Sequence, residues 1–224
     1  MGTGNWKGEL KTDAHRLAEL ATTLESVGAS SNTASSIAGA LGRRYRERHR
    51  RYHNLAHVAA MLDFATEYSA ALDDGTAVIL AIWYHDAVYR PRQGHNEVAS
   101  ARLAQDELME IITSSRLARV VRLILATERH EPPAGEPDAP LFLDFDLAIL
   151  GAPPDEYRAY ARAIRTEYRW VPAVLYRSRR AELLEGLLQR PAIFLTDQFR
   201  ARFEQRAREN LHAEIARLRP RPND

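Results

Sequence analysis

Ala77-Val78-Ile79-Leu80-Ala81-Ile82-Trp83-Tyr84-His85-Asp86-Ala87-Val88-Tyr89 is an apolar run that closes on an imidazole and a carboxylate. A helix that is apolar on all sides has no face to offer water, so this one is expected inside a core. The run Ala77 to Tyr84 is far too short to cross a bilayer. Delivering His85 and Asp86 into the interior carries a penalty, because a buried carboxylate loses its hydration and needs a compensating cation. Two cations satisfy that demand: a metal ion shared with His85, or one of the chain's many arginines. Both readings stand at this stage.

Outward from this segment, apolar residues recur at helical spacing, as in Leu17, Leu20, Leu24 and Val27, or Leu117, Val120, Val121, Ile124 and Leu125. No stretch alternates as a strand would. Asp73-Asp74-Gly75, Pro91-Arg92-Gln93-Gly94 and Gly151-Ala152-Pro153-Pro154 punctuate the pattern. The reading is an all-α fold with helices expected over 12–27, 32–50, 54–72, 76–87, 95–110, 114–128, 154–168, 172–189 and 196–218, an about nine-helix bundle. Glu131 to Pro140, with Pro132, Pro133, Gly135 and Pro137 between, is expected as a surface loop and a candidate lid, and the tail Arg219 to Asp224 is expected to fray.

Composition narrows the function. At 224 residues and 45% hydrophobic content the chain suits one sizeable core, taken here as a single domain over 1–224 with its centre in about 30–190. A formal charge of +1 speaks against a nucleic-acid or anionic-membrane binder. Met1 to Lys11 lacks a secretory apolar run, and Trp6 stands where a myristoylation motif wants Ser or Thr, so a cytoplasmic protein is expected. Cysteine is absent, so any metal must be held by His, Asp or Glu.

Two more stretches carry such groups. In Arg51-Tyr52-His53-Asn54-Leu55-Ala56-His57 two histidines sit four residues apart at a helix start, on one face. In Leu141-Phe142-Leu143-Asp144-Phe145-Asp146-Leu147-Ala148-Ile149-Leu150 acidic residues interrupt an apolar core segment, and one of Asp144 and Asp146 is free to cap a short helix instead. Arg43 to Arg51 is the sharpest basic cluster; on a helix its residues point all around, which fits a solvated face, although an anion or a nucleic-acid backbone would also be drawn to it. His15, His49, His95 and His212 have no partner pattern and are expected on the surface.

The order His57, then His85-Asp86, then Asp146 resembles the ligand set of the HD superfamily of metal-dependent phosphohydrolases. Tyr52 to His57 is also similar to the matching stretch of cyclic nucleotide phosphodiesterases, although Ala87-Val88-Tyr89-Arg90-Pro91 lacks their further His and Gly. From Tyr52 to Leu211 the chain looks like an uncharacterised bacterial subgroup of predicted HD hydrolases. The resemblance rests on Trp83 to Tyr89, Asn96-Glu97 with Ser100-Ala101, Asp146 to Gly151, Ile164-Arg165 with Glu167-Tyr168, and Glu204, Arg208 and Asn210 on the last helix.

That resemblance implies an HD-type helical bundle holding a divalent ion (Mn, Fe, Co, Ni, Zn or Mg), or two, on His57, His85, Asp86 and Asp146. It implies hydrolysis of a small phosphorylated substrate, a nucleotide among the candidates. His53 is the expected proton donor to the leaving group, or else a hydrogen-bonding support, and Glu97 orients the attacking water or simply starts a helix. His130, Arg165, Tyr168 and Arg179 are candidates for the substrate pocket; the arginines suit phosphate by their bidentate fork. A di-iron oxygenase and a non-catalytic nucleotide-binding module are the competing readings.

Overall fold

The computed structural model describes residues 11–219, so the N-terminal expectations, and those for the tail beyond Arg219, fall outside the described residues. Every regular element among them is helical: α1 (Asp13–Ser26), α2 (Ser31–Tyr45), α3 (Leu55–Glu67), α4 (Gly75–Tyr84), α5 (Asn96–Leu108), α6 (Ser114–Ala126), α7 (Ala139–Leu147), α8 (Pro154–Glu167), α9 (Ala173–Gln189), α10 (Asp197–Phe199) and α11 (Gln205–Leu218). The all-α reading therefore holds. None of these helices is long and apolar enough to cross a membrane. The chain divides into two compact units, one up to Phe145 and one from Asp146.

In the first unit α4 is the buried centre: Ala77, Val78, Leu80, Ala81, Ile82, Trp83 and Tyr84 are all nearly inaccessible. It packs against α3, α5 and α6, while α1 lies on α2 and α5 on α6. Side-chain caps start the helices where the sequence places Ser, Thr, Asn or Asp, as at Thr12, Ser30, Asn54, Asp74 and Thr113.

Three expectations need correction. Helix α2 stops at Tyr45 instead of running to residue 50, and the chain then turns so that Arg50 points inward, 5% exposed. The basic cluster is thus not one solvated helical face. A helix missing from the expectation, α7, occupies Ala139–Leu147. Its residues from Leu141 to Phe145 are all buried, so no polar stripe marks its period, and Pro140 sits in its first turn, where no N–H is needed.

The third correction concerns the proline-rich loop, which is pinned rather than lid-like. Glu136 and Asp138 within it are buried at 4% and 1% exposure. The Arg119 guanidinium donates to Glu136 and Asp138 at 2.8 and 2.9 Å and pairs with Asp73, and Arg122 reaches Glu136 at 2.8 Å. Asp138 in turn accepts the backbone N–H groups of Asp73 and Asp74 at 2.7 and 2.9 Å, closing the entry to α4.

In the second unit α11 packs on α9 and on a 3-10 turn at Ala148–Gly151. Asn210 donates to the carbonyls of Leu150 and Ala152 at 2.8 and 2.9 Å, Glu204 accepts from Ile193 and Phe194, and Arg208 donates to Arg190 and Pro191. These three polar residues therefore tie down turn backbone. The stretch Arg200–Glu204 is π-helical, and a Cβ added at Gly151 would lie 2.6 Å from the Phe203 Cβ and 2.9 Å from its carbonyl oxygen.

Two substitutions test these ties by urea unfolding. Asp138→Ala strands two N–H groups and part of the Arg119 charge, and is expected to lower the unfolding free energy by about 3 kcal/mol. Gly151→Ala must push the Phe203 backbone away, for an expected loss of about 1–3 kcal/mol. A near-neutral result for either would show that its contact is not a constraint.

Candidate metal centre

The C-terminal end of α4 lies in the core, so its last carbonyls need donors from the protein itself. The His85 ring supplies one, its Nδ1 lying 2.8 Å from the Ile82 carbonyl oxygen. A carbonyl only accepts, so Nδ1 carries a proton, and Nε2 is left turned toward His57 and Asp86. The Tyr45 hydroxyl donates to the Trp83 carbonyl at 2.9 Å, and the Ala87 N–H to that of Tyr84 at 3.0 Å. Satisfying the helix end thus also aims the His85 ring.

His57, in the first turn of α3, meets it. The two Nε2 atoms lie 3.2 Å apart, and the rings are 5% and 2% exposed by residue. The Asp86 Oδ2 is 3.1 Å from His85 Nε2 and 3.9 Å from His57 Nε2. Asp146, in the last turn of α7, completes the group: His57, His85 and Asp146 each offer a ligand atom, all within 4.8 Å of one another. Burial pushes the Asp86 carboxyl up, but the imidazoles of His85, His53 and His57 outweigh it and hold the carboxyl well below its usual range.

These distances allow a test of fit. Two nitrogens each about 2.05 Å from one ion are about 2.9 Å apart at a right angle and about 3.3 Å apart at the tetrahedral angle. The observed imidazole spacing falls between the two. His57, His85 and Asp146 form a nitrogen and oxygen set that suits a borderline divalent ion, while Asp86, also expected as a ligand, lies beside His85 but outside that mutually close group of three. An arginine does lie close to Asp86, but it binds backbone: Arg50 Nη1 donates to the carbonyls of Asp86 at 2.7 Å and His53 at 3.1 Å, and Nη2 to that of Ala87 at 3.1 Å. Its Nε reaches Glu47 at 3.0 Å, and its guanidinium lies 5.1 Å from the Tyr45 ring centroid.

The remaining candidates are distributed as follows. The His53 ring packs 4.3 Å from that of Tyr89 and 6.1 Å from that of His57, beside the centre. Glu97 lies half-buried in the first turn of α5 and forms no ion pair or side-chain hydrogen bond among the described residues. His130 takes a left-handed backbone conformation, φ 51°, at the start of the proline-rich loop, outside the metal group. Asp144 is fully buried and is not part of that group.

In the second unit Arg165 is engaged in structure: it donates to the carbonyls of Tyr168 at 2.7 Å and Val171 at 3.1 Å and covers the Tyr176 ring at 4.6 Å. Tyr168 caps α8, and Arg179 is exposed to solvent beside Glu182 at 3.2 Å. The guanidinium of Arg165 is thus occupied with backbone, and that of Arg179 is paired on an exposed helix face. His49, expected on the surface, is half-exposed and bonds the Tyr89 carbonyl through Nε2 at 2.8 Å.

Residues that the sequence left unmarked support the centre. Arg50 is one. Asn96 and Ser100, noted only as part of a resemblance, are a turn apart on α5 and hold the chain that follows Asp86: Asn96 accepts from the Arg90 N–H at 2.9 Å, and Ser100 accepts from the Val88 N–H at 3.0 Å. Compared with family models, curated proteins and solved structures, the chain finds no match in any of the three.

Arg50→Met would strip one buried donor set from three carbonyls at once. The expected loss is about 3 kcal/mol in urea unfolding, with partial recovery in Arg50→Lys. A loss below about 1 kcal/mol would mean that water replaces the guanidinium.

Proposed function

We propose that this chain is a divalent-metal-dependent hydrolase of small phosphate esters, of the HD type that its motifs resemble. The observation that carries the reading is the pair of buried Nε2 atoms 3.2 Å apart, one of them on a ring whose Nδ1 is committed to the Ile82 carbonyl. Both atoms are turned toward the carboxylates of the same buried group, which is how imidazoles that share an ion are arranged. His57, His85, Asp86 and Asp146 would hold the ion. A divalent ion so held lowers the pKa of a bound water from 15.7 toward about 7 and draws charge from a phosphoryl oxygen.

The protein's own groups do the rest. Asp86 stays ionised among three imidazoles and keeps negative charge at the centre. His53, near enough to Asp86 to act on its charge and packed at a tilt on Tyr89, would serve as the acid that protonates the departing alkoxide. Arg50 fixes the backbone of both His53 and Asp86, so the acid and the metal-binding carboxylate keep one geometry. Substrates of this chemistry are small phosphomonoesters or diesters, nucleotides among them.

The test is phosphate release from aryl and alkyl phosphate mono- and diesters by protein loaded in turn with Mn, Co, Ni, Zn, Mg and Fe(II), together with metal analysis. Chelation should abolish turnover and re-addition restore it, and Asp86→Ala should lower it by about a hundredfold or more. His53→Gln should retain metal yet lose about a hundredfold on alkyl esters, and much less on nitrophenyl esters, whose leaving group needs no proton. Oxygen uptake without phosphate release would replace this reading with a redox one.

A further inference from the structure

A cavity of about 660 Å³ in the first unit is bordered by Arg44 of α2, Arg90, His95 and Arg102 of α5, against the single carboxylate of Asp106. None of His57, His85, Asp86 and Asp146 lines it. Several arginines elsewhere in this unit are matched by acids: Arg16 with Asp63, Arg46 with Asp13, Arg116 with Asp74, and Arg119 with Glu136 and Asp138. Among the described residues Arg44 and Arg102 are in no ion pair, and the Arg90 guanidinium donates only to the Gln93 side-chain oxygen, at 3.2 Å. Asp106 stands one helical turn from Arg102, a spacing that commonly pairs, yet the two do not meet.

Three guanidiniums left unneutralised around one concavity repel one another and raise the local concentration of anions. Their planar forks match phosphate oxygens in pairs. Between them lie apolar side chains, Val88, Val98 and Leu103, which give the cavity a floor that water does not reward. Gly94 and His95 bring the positive end of the α5 dipole to the same rim. The volume lies in the range of sites for small organic ligands.

We infer that this cavity binds a phosphate-bearing small molecule with a flat apolar group, of the size of a nucleoside phosphate, at a site separate from the metal centre. The arginines take the phosphates and the Val88, Val98 and Leu103 floor takes the ring. The inference does not depend on the hydrolase reading, since it needs no metal and no turnover.

Calorimetric titration of the full chain in EDTA, with adenosine triphosphate and with inorganic triphosphate as probes, decides the matter. Saturable binding of both is expected, several-fold tighter for the nucleotide, with Arg102→Glu and Arg44→Gln each weakening it by about tenfold. Arg177→Glu, an exposed charge reversal on α9 in the second unit, should leave it unchanged. Circular dichroism confirms that the variants fold, and Arg90→Glu, at an exposed position, gives a second reading of the same rim. No saturable heat, equal affinity for the two probes, or wild-type affinity in Arg102→Glu and Arg90→Glu overturns the proposal.

Discussion

The C-terminal end of α4 has to be satisfied without water. A helix that is apolar on every side must lie in the core, and a helix end in the core leaves carbonyls whose hydrogen bonds are costly to lose. His85, Tyr45, the Ala87 N–H and Arg50 supply donors to the carbonyls of Ile82, Trp83, Tyr84, Asp86 and Ala87. Each of these bonds has a second consequence. The bond to Ile82 orients the His85 ring, and the bonds from Arg50 fix the backbone that carries Asp86 and His53. The donors that complete the helix end are thus also the ones that arrange the candidate centre.

The same economy recurs where charge enters the interior. Glu136 and Asp138 are buried, but each meets an arginine, and Asp138 also caps two backbone amides at the start of α4. Both ends of the central helix are therefore held by polar contacts from remote parts of the chain. A loop with that many fixed points is a strut. In the second unit Asn210, Glu204 and Arg208 play the corresponding part for the turns around Gly151 and Ile193.

Much was legible in the sequence because the chemistry is local to short stretches. The apolar run of α4 announces its own burial, and helix starts follow from Thr12, Ser30, Asn54, Asp74 and Thr113; the Asn54 cap also puts His53 before α3, so His53 and His57 do not share a helix face as their spacing suggested. The errors share a cause. Helix α7 lacks a polar face, so its period is invisible. The end of α2 at Tyr45 and the inward turn of Arg50 depend on carbonyls at residues 53, 86 and 87. The loop after His130 reads as mobile because its prolines are visible and its arginine partners, on α6, are not adjacent.

The sequence by itself determined that this chain folds as helices, that one of them is mostly interior, and that an imidazole and a carboxylate ride at its end. Only the tertiary structure decided which cation-forming groups face them. It sets His57 against His85 through their Nε2 atoms, brings Asp146 to the same place, and turns Arg50 toward backbone rather than toward the Asp86 carboxylate. The physical reason is that periodicity reports which face of a helix is buried, whereas the partner of a buried charge is chosen by distances of a few ångströms between segments far apart in the chain.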